Sequence, residues 1–397
     1  MKREKNMVNY LLATDEQRKL VEKVHKICEA ELSSEQVREY ERANNGLGEY
    51  PWKAHHALAD AGFYSMNIPE EMGGPGYNFV TRGLIMEEIA SYDLGFAFGF
   101  RGLGEKFPSV LNSHLPQAEK DKWISRQLNE HIGGVFCLTE PSAGSDAKRI
   151  ETTAYKDGDE WVINGTKSMI TNGGLGEYFT IFAWTDKTKS AGHGITAFLV
   201  YKDDPGFTVT EREEYMGMSL CNVTGLKLEN VRVPEERIIG TEGRAFATAM
   251  GTLEFVRPYN VCFTVGAAQR VLDIVKDFAN ERQAFGKYII DHQGVGYHLA
   301  ELQMKVDTAR AMGYYALEAA DRGISLGRTG SGAKGFGIKL CCEVAYEALE
   351  LMGGYGYRKD YMVEKINRDI RGYAIAGGTY NIMKEVVYRS MKVKHDA

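Results

Sequence analysis

The chain has 397 residues, of which 44% are hydrophobic and 26% charged, as in an ordinary globular protein of two or three domains. Its formal net charge of −6 argues against broad nucleic-acid binding, which requires a basic surface. The six cysteines form no CxxC pair and have no histidine cluster near them. We therefore expect neither a disulfide framework nor a bound metal, and a reducing compartment such as the cytoplasm fits better.

Hydropathy along the chain bears on its location. No apolar run reaches the roughly 18 residues that a membrane-spanning helix requires. Residues 1–9 are polar and basic, and no apolar stretch of the kind found in signal peptides follows them. The sequence thus predicts neither a membrane span nor secretion.

Three blocks of different periodicity follow one another. The first is helical and opens with Thr14 and Gln17 at the spacing of a capping box. The middle block contains short β-branched and aromatic runs, at residues 178–184 and 194–201 among others. The last returns to helices, and one long helical face is expected at Leu299, Leu302, Val306, Ala309, Gly313 and Ala316.

Segregated α, β and α blocks exclude a doubly wound sheet and predict an α+β protein. We assign a helical domain to residues 1–134, a β domain to residues 135–245 and a second helical domain to residues 246–397.

Two segments of the middle block point to a ligand. Residues 138–146 read Leu-Thr-Glu-Pro-Ser-Ala-Gly-Ser-Asp, a loop whose small residues let backbone N–H groups approach a polar ligand closely. Residues 161–174 are predicted as strand, turn and strand, because Asn164-Gly165 is a strong hairpin signal. Each segment taken alone also suits a plain surface turn.

Together these segments match the TEPxAGSD loop and the NGxKxxITNGG hairpin of the acyl-CoA dehydrogenase family. The last third agrees: residues 281–293 resemble the family's ERxxFGK…HQ segment, residues 353–369 its GGxGY…RD segment, and residues 253–258 the start of the helix that bears LDxxRP. Order and spacing hold from about residue 12 to the end, so the resemblance covers nearly the whole chain.

The resemblance implies an N-terminal all-α domain, a middle β-barrel-like domain and a C-terminal four-helix bundle. It also implies FAD as cofactor, an acyl-CoA as substrate, an electron-transfer flavoprotein as partner, and a homotetramer in which each FAD contacts a second subunit. Residues expected to border FAD are Phe136, Leu138, Thr139, Gly144, Ser145, Met169, Thr171, Gly353, Gly354 and Thr379. Those expected to contact the FAD of a neighbouring subunit are Arg282, Phe285 and Gln293.

The catalytic base of the family is missing from both of its usual places. Many members carry a Glu before the final Gly-Thr, where this chain has Gly377, and others carry it just before the Arg of LDxxRP, where this chain has Val256. By position, Ser145, Arg257 and Gly377 should lie against the acyl-CoA. Glu254 matches a family acidic residue that is more often structural than catalytic.

We predict that a relocated carboxylate takes the proton, and our choice is Asp93 in the Phe- and Gly-rich segment 91–101. Some relatives that act on alicyclic acyl-CoA thioesters use an Asp from this region, although an Asp here is also common as a helix-end residue. Neighbouring phenylalanines would desolvate this carboxylate and make it a better base. Glu254 and Glu105 are the alternatives.

Arg101, in the same segment, is a candidate for binding the substrate. A guanidinium at the floor of the acyl pocket would pair with a distal carboxylate or sulfinate. Glu105, four residues on, could instead neutralise Arg101 on the same helix face.

The leading functional hypothesis is flavin-dependent oxidation or reduction of an unusual, possibly alicyclic acyl-CoA, with hydride transfer to flavin N5 and exchange of electrons with an electron-transfer flavoprotein. The alternative is a non-redox lyase, such as a desulfinase, that retains FAD structurally. A third reading is an acyl-CoA binder that has lost its base.

Overall fold

A computed structural model describes residues 13–392, and the polar segment 1–9 lies outside them. The N-terminal part is entirely helical. Thr14 forms the predicted capping box with Gln17, since each side chain pairs with the other residue's backbone N–H. The helices are α1 Asp15–Glu31, α2 Ser34–Arg42, α3 Trp52–Asp60, α4 Phe79–Ala90, α5 Leu94–Gly104, α6 Phe107–Leu111 and α7 Gln117–Asn129.

The middle part is a mixed sheet in the order β6-β7-β3-β2-β4-β5-β8, with β1 paired to β4 in parallel. Short helix α8, Ala191–Gly194, precedes β5. The strands are β1 Gly134–Cys137, β2 Thr153–Asp157, β3 Glu160–Thr171, β4 Tyr178–Trp184, β5 Ile195–Tyr201, β6 Phe207–Arg212, β7 Val223–Pro234 and β8 Ile238–Ile239.

Alternating side chains of this sheet supply two separate cores. On β4, Phe179 and Ile181 pack into a core that the sheet forms with itself, whereas Tyr178 and Phe182 face a second core. That second core includes Trp123 of α7. The sheet is therefore covered by the N-terminal helices on one side.

The predicted hairpin at Asn164-Gly165 is wrong. Strand β3 runs without a turn from Glu160 to Thr171, and its pairing with β7 shifts register between Ile163 and Gly165. A Cβ at Gly165 would lie 2.3 Å from Thr152 Oγ1, so glycine is required here by a close approach of two chain segments. The Asn164 side chain accepts a hydrogen bond from Asn230 N at 2.8 Å.

The C-terminal part is a four-helix bundle built from α9, α10, α12 and α13. The face predicted for the long helix is confirmed, because all six predicted residues of α10 are buried. The elements are α9 Ala245–Glu281, the hairpin β9 Gln283–Ala284 with β10 Lys287–Tyr288, α10 Gln293–Asp321, α11 Gly327–Gly332, a π-helical turn Ala333–Gly337, α12 Ile338–Leu351, α13 Met362–Ile375 and α14 Tyr380–Met391.

Helices α4 and α5 pack against α9, so the N-terminal helices and the bundle share one hydrophobic core. The predicted domain divisions fall beside the first residues of β1 and α9. Within residues 13–392 no helix is long and apolar enough to cross a membrane.

Candidate active site

A buried ion pair holds the loop that follows β1, residues 138–146, against strand β3. Lys167 Nζ of β3 lies 2.6 Å from Glu140 Oε1, and both side chains are almost completely buried. The same ammonium donates to Phe182 O at 2.7 Å, while Glu140 accepts from Thr152 N at 3.2 Å. Burial lowers the pKa of Lys167, and Glu140 opposes that effect. These contacts tie the loop to β3 and β4.

This loop and the end of β3 form a continuous surface. Ser168 N donates to Thr139 O at 3.1 Å, which ties the loop to the strand. The next residue, Met169, has a left-handed φ of 54° and a side chain that is 62% exposed. Such an exposed thioether in a conformation rare for its residue type indicates a site that contacts a ligand or a second chain.

Helix α5 closes one edge of this surface. Asn172 Nδ2 donates to Gly99 O at 2.8 Å, and a Cβ at Gly102 would lie 2.9 Å from the same nitrogen. The glycines of α5 thus allow the helix to approach the end of β3, beside Thr171. Seven of the residues predicted to border FAD lie on β1, its loop and β3: Phe136, Leu138, Thr139, Gly144, Ser145, Met169 and Thr171.

A second group of predicted FAD residues lies at one end of the bundle. The Arg282 guanidinium is 5.6 Å from the ring centre of Tyr355, which follows Gly353 and Gly354. Phe285 is 96% exposed at the tip of the β9–β10 hairpin, and Gln293 begins α10. These exposed groups are placed to reach beyond their own chain.

The residue that replaces the usual glutamate lies in a glycine turn between α13 and α14. Gly377 and Gly378 have φ values of 71° and 110°, and Thr379 caps α14 by accepting from Ile382 N. A Cβ at position 377 would meet Asn260 Nδ2 at 3.1 Å and Lys334 Cε at 3.9 Å. Any L side chain at position 377 would be strained by the positive φ.

Two buried cations lie near this turn. Lys334, in the π-helical turn, is 2% exposed and donates to Gly378 O, and burial lowers its pKa to about 8. Arg257 is also buried and donates to Ser331 Oγ at 3.0 Å. Burial lowers the pKa of Arg257, and Glu254 opposes that effect. The side chains of Lys334 and Arg257 therefore give the surroundings of the turn positive charge and hydrogen-bond donors.

Asp93 occupies a position unlike that of a free base. It is the N-cap of α5, accepting from Phe96 N at 2.7 Å, and its other oxygen lies 2.5 Å from Lys365 Nζ. Lys365 also pairs with Asp369 at 2.6 Å. Both carboxylate oxygens of Asp93 are thus engaged within the protein, which is typical of a residue that caps a helix, and this geometry favours the structural reading of Asp93.

The phenylalanines expected around Asp93 also point elsewhere. Phe96 and Phe100 are fully buried and pack on Tyr50 and His55 in the N-terminal core. Only Phe98 faces the bundle, where its ring centre lies 5.1 Å from that of Tyr373.

Glu105 pairs with Arg101, as the sequence had suggested as an alternative to substrate binding. The two side chains form an ion pair at i,i+4 spacing on α5. Glu105 is shared, however, since its other oxygen lies 3.1 Å from Arg82 Nη1. Burial alone would raise the pKa of Glu105, but Arg101, Arg82 and Lys106 hold it below its usual value.

Our sequence reasoning missed Arg82, Lys334 and Lys365. Arg82 is a basic residue in a largely apolar helical stretch, and that signal could have found it, whereas Lys365 stands among other charged residues and Lys334 among glycines. Their partners are distant in sequence, so the pattern could not have identified those partners.

The domain order agrees with known proteins. Residues 14–130, 135–231 and 243–392 match the N-terminal, middle and C-terminal domain models of acyl-CoA dehydrogenases. The chain is 37% identical over 345 residues to the probable acyl-CoA dehydrogenase FadE25 of Mycobacterium tuberculosis, which covers 86% of this chain and 88% of the relative.

Solved structures agree as well. Butyryl-CoA dehydrogenase from Megasphaera elsdenii superposes with a TM-score of 0.88 at 30% identity, covering 95% of this chain and 98% of the other. An acyl-CoA dehydrogenase from Geobacillus kaustophilus superposes with a TM-score of 0.89 at 27% identity, covering 97% and 100%.

The fold and the site define a three-domain flavoenzyme of acyl-CoA thioesters. The chain belongs to the acyl-CoA dehydrogenase family, and its cofactor is FAD. The residues present fit this cofactor: Gly144, Gly353 and Gly354 leave open space where a Cβ would stand, and Arg282 is exposed to meet phosphate oxygens. Bound FAD supplies the redox chemistry.

Proposed function

We propose that this protein oxidises or reduces an unusual acyl-CoA by a proton transfer that uses neither of the family's two usual glutamates. The observation that carries the proposal is the turn at Gly377. Its positive φ disfavours a side chain, and its described neighbours are Asn260 and Lys334. The space that a glutamate would fill is left to the substrate, which suits a bulky or alicyclic acyl group.

Of the three carboxylates considered from the sequence, Glu254 best fits the role of proton acceptor. Asp93 and Glu105 are both buried in ion pairs. Glu254 is only partly buried, and its charge acts on the Arg257 guanidinium one turn further on. It stands one helical turn before Arg257, and its Oε1 lies 3.8 Å from the Cβ position of Gly327. We assign proton transfer to this carboxylate.

Anaerobic titration tests the reaction type. We expect cyclohexenecarbonyl-CoA or a related thioester to bleach the visible absorbance of the bound flavin, and butyryl-CoA to bleach it slowly. Product formation without bleaching would identify a lyase of the desulfinase type, and the redox proposal would then fail. Neither product nor bleaching with any thioester that binds would indicate an acyl-CoA binder.

Substitution tests the proton acceptor. Glu254→Gln should lower turnover per bound flavin at least about a hundredfold, the usual scale for loss of a general base. Glu318→Gln, which breaks an exposed pair with Arg322 on α10, is the control and should retain activity. Full activity of Glu254→Gln at unchanged FAD content would rule Glu254 out.

We also propose a cytoplasmic homotetramer that exchanges electrons with an electron-transfer flavoprotein. The exposure of Phe285 and Arg282 supports a cofactor shared between subunits. Arg282→Ala should weaken FAD binding, because Arg pairs strongly with phosphate. A monomer by light scattering with full FAD content would contradict the shared site.

A further inference from the structure

A carboxamide interrupts the apolar middle of α9. Residues 259–268 of this helix are all buried, and Asn260 is 1% exposed among them. Asparagine is a poor residue for a helix interior and is costly to bury unless its polar atoms form hydrogen bonds. It neither caps nor ends the helix, because α9 runs on to Glu281. Its side chain therefore requires a partner in the surroundings of the helix.

The Asn260 carboxamide borders the turn that lacks the family's glutamate. Its nitrogen lies 3.1 Å from the Cβ position of Gly377, and Lys334 Cε lies 3.9 Å from the same position. Apart from the chain neighbours of Gly377, no other described residue comes within 4 Å of that position. The space that a side chain of residue 377 would enter is thus bordered by two polar side chains.

Two polar atoms on this face of α9 are buried and have no hydrogen-bond partner among residues 13–392. They are Asn260 Oδ1, which is an acceptor, and Arg257 Nε, which is a donor. Arg257 precedes Asn260 by three residues, so the two side chains lie on one face of the helix. Because unpaired buried polar atoms are destabilising, this pair beside the turn indicates hydrogen-bond partners supplied by a ligand.

The chemical nature of the ligand group follows from the presence of both an acceptor and a donor. A hydroxyl can donate to Asn260 Oδ1 and can also accept from Arg257 Nε. A carboxylate only accepts, so it would leave the Asn260 oxygen unpaired, and an alkyl group would leave both atoms unpaired. A hydroxyl also suits either orientation of the carboxamide, since it can accept from the amide nitrogen as well.

We infer that the acyl group of the substrate carries a hydroxyl on carbon 2 or 3, close to the thioester, and that Asn260 binds this hydroxyl. Its position near the thioester follows from the short distance between Asn260 and the Gly377 turn. The inference rests on the proposed function, because it takes an acyl-CoA whose thioester lies at that turn. It makes Asn260 a specificity-determining residue and gives it no part in proton transfer.

Thioesters that differ by one hydroxyl test this inference. The FAD-loaded protein is titrated calorimetrically with butyryl-CoA and with the stereoisomers of 2-hydroxybutyryl-CoA and 3-hydroxybutyryl-CoA. Cyclohexanecarbonyl-CoA and 2-hydroxycyclohexanecarbonyl-CoA form a second set for an alicyclic acyl group. We expect one hydroxylated thioester to bind at least about tenfold more tightly than its parent, because the parent leaves the buried carboxamide unpaired. Equal binding within both sets would overturn the inference.

Substitution of Asn260 assigns the preference to this side chain. Asn260→Leu keeps the approximate size and removes the hydrogen bonds, so it should abolish the preference and leave the affinity for the parent thioester largely unchanged. Asn260→Asp retains an acceptor oxygen and should keep part of the preference, which provides a second test if the Leu variant folds poorly. Asn129→Leu, an exposed control on α7, should keep all of it. A preference that survives Asn260→Leu contradicts the inference.

The absorbance of the bound flavin reports separately on the proposed function. Absence of bleaching with every thioester would refute the redox proposal and leave the binding result intact. Bleaching by a thioester, together with equal affinities for the parent and the hydroxylated ligands, would refute the inference about Asn260 alone.

Discussion

Helix α5 ends in two buried ion clusters that differ in their balance of charge. At its N-terminus, Lys365 lies between Asp93 and Asp369, 2.5 and 2.6 Å away. Backbone donors complete this cluster, since Phe96 N donates to Asp93 and Met218 N donates to Asp369 at 2.7 and 2.6 Å. We call it the acidic cluster.

At the other end, Arg82 and Arg101 share Glu105, and Lys106 stands beside them. Among residues 13–392, Arg101 Nε of this basic cluster has no hydrogen-bond partner, whereas every side-chain nitrogen and oxygen of the acidic cluster has one. A complete network is typical of a structural role and an incomplete one of a binding site. The acidic cluster also joins all three domains, because Asp93, Met218 and Lys365 belong to different ones.

The largest expected effect is on the acidic cluster. Lys365→Met would leave two buried carboxylates facing each other without a cation, which typically costs about 3–5 kcal/mol. We expect a large fall in the urea midpoint of the FAD-loaded protein at fixed protein and FAD concentrations. Lys156→Met, which breaks an exposed pair with Glu235, should leave the midpoint unchanged. An equal midpoint for both variants would show that the acidic cluster is not structural.

Asp93→Asn should have a smaller effect on stability and none on chemistry. Asn still caps α5, and Lys365 keeps Asp369, so we expect a loss of about 1–2 kcal/mol in the free energy of unfolding. Turnover per bound flavin should stay within about threefold of the unmodified protein, well short of the roughly hundredfold loss expected for a base. A hundredfold loss at normal stability would restore Asp93 as the proton acceptor.

The case of Asp93 shows what sequence could not provide. Its partner Lys365 is 272 residues away, so a local pattern of phenylalanines suggested desolvation where an ion pair exists. The motif at Gly377 showed that the usual glutamate is absent. It did not predict that this residue has a positive φ. Similarly, Asn164-Gly165 was predicted as a turn because Asn-Gly is a common hairpin sequence. The real reason for the glycine is the close approach of Thr152, a tertiary contact that the sequence does not show.

The α+β architecture, by contrast, followed from periodicity and motif order. The buried face of α10 obeyed helical spacing, because a helix against a core must bury one side whatever its partner. The capping box at Thr14 was equally local. These two predictions held because a capping box and a repeating buried face depend on the helix itself and not on which segment packs against it.

Arg101→Gln should change the free energy of unfolding little. The same substitution at a buried guanidinium whose charge is fully paired should lower it more. The change removes one surplus cation and leaves the Arg82–Glu105 pair in place, so we expect a shift within about 1 kcal/mol in the free energy of unfolding. Arg310→Gln is the matched comparison, because Arg310 pairs with Glu87 at 3.0 Å in the bundle core. Equal losses in both variants, measured by urea unfolding, would indicate that Arg101 is structural.

The contribution of each cluster to the free energy of unfolding should also depend differently on pH, because their lysines have different pKa values. Neighbouring carboxylates raise the pKa of Lys365 despite its burial, whereas burial lowers the pKa of Lys106 to about 8. Below pH 8 Lys106 is charged in both the folded and the unfolded chain, and the cost of burying its charge is fully present. That cost falls as the pH rises from 8 towards about 10.4, the pKa of a lysine in the unfolded chain. Over this range Lys106 loses its proton in the folded chain before it does so in the unfolded chain.

Lys106→Met should therefore stabilise the protein at pH 7, by under about 1 kcal/mol because Lys106 is not wholly shielded from solvent. The gain should shrink towards zero by about pH 10, where the unmodified Lys106 is neutral in the folded state. Urea unfolding of both proteins at the two pH values measures this difference. A loss of stability at pH 7 would mean that Lys106 has an anionic partner already, and the basic cluster would then be as complete as the acidic one.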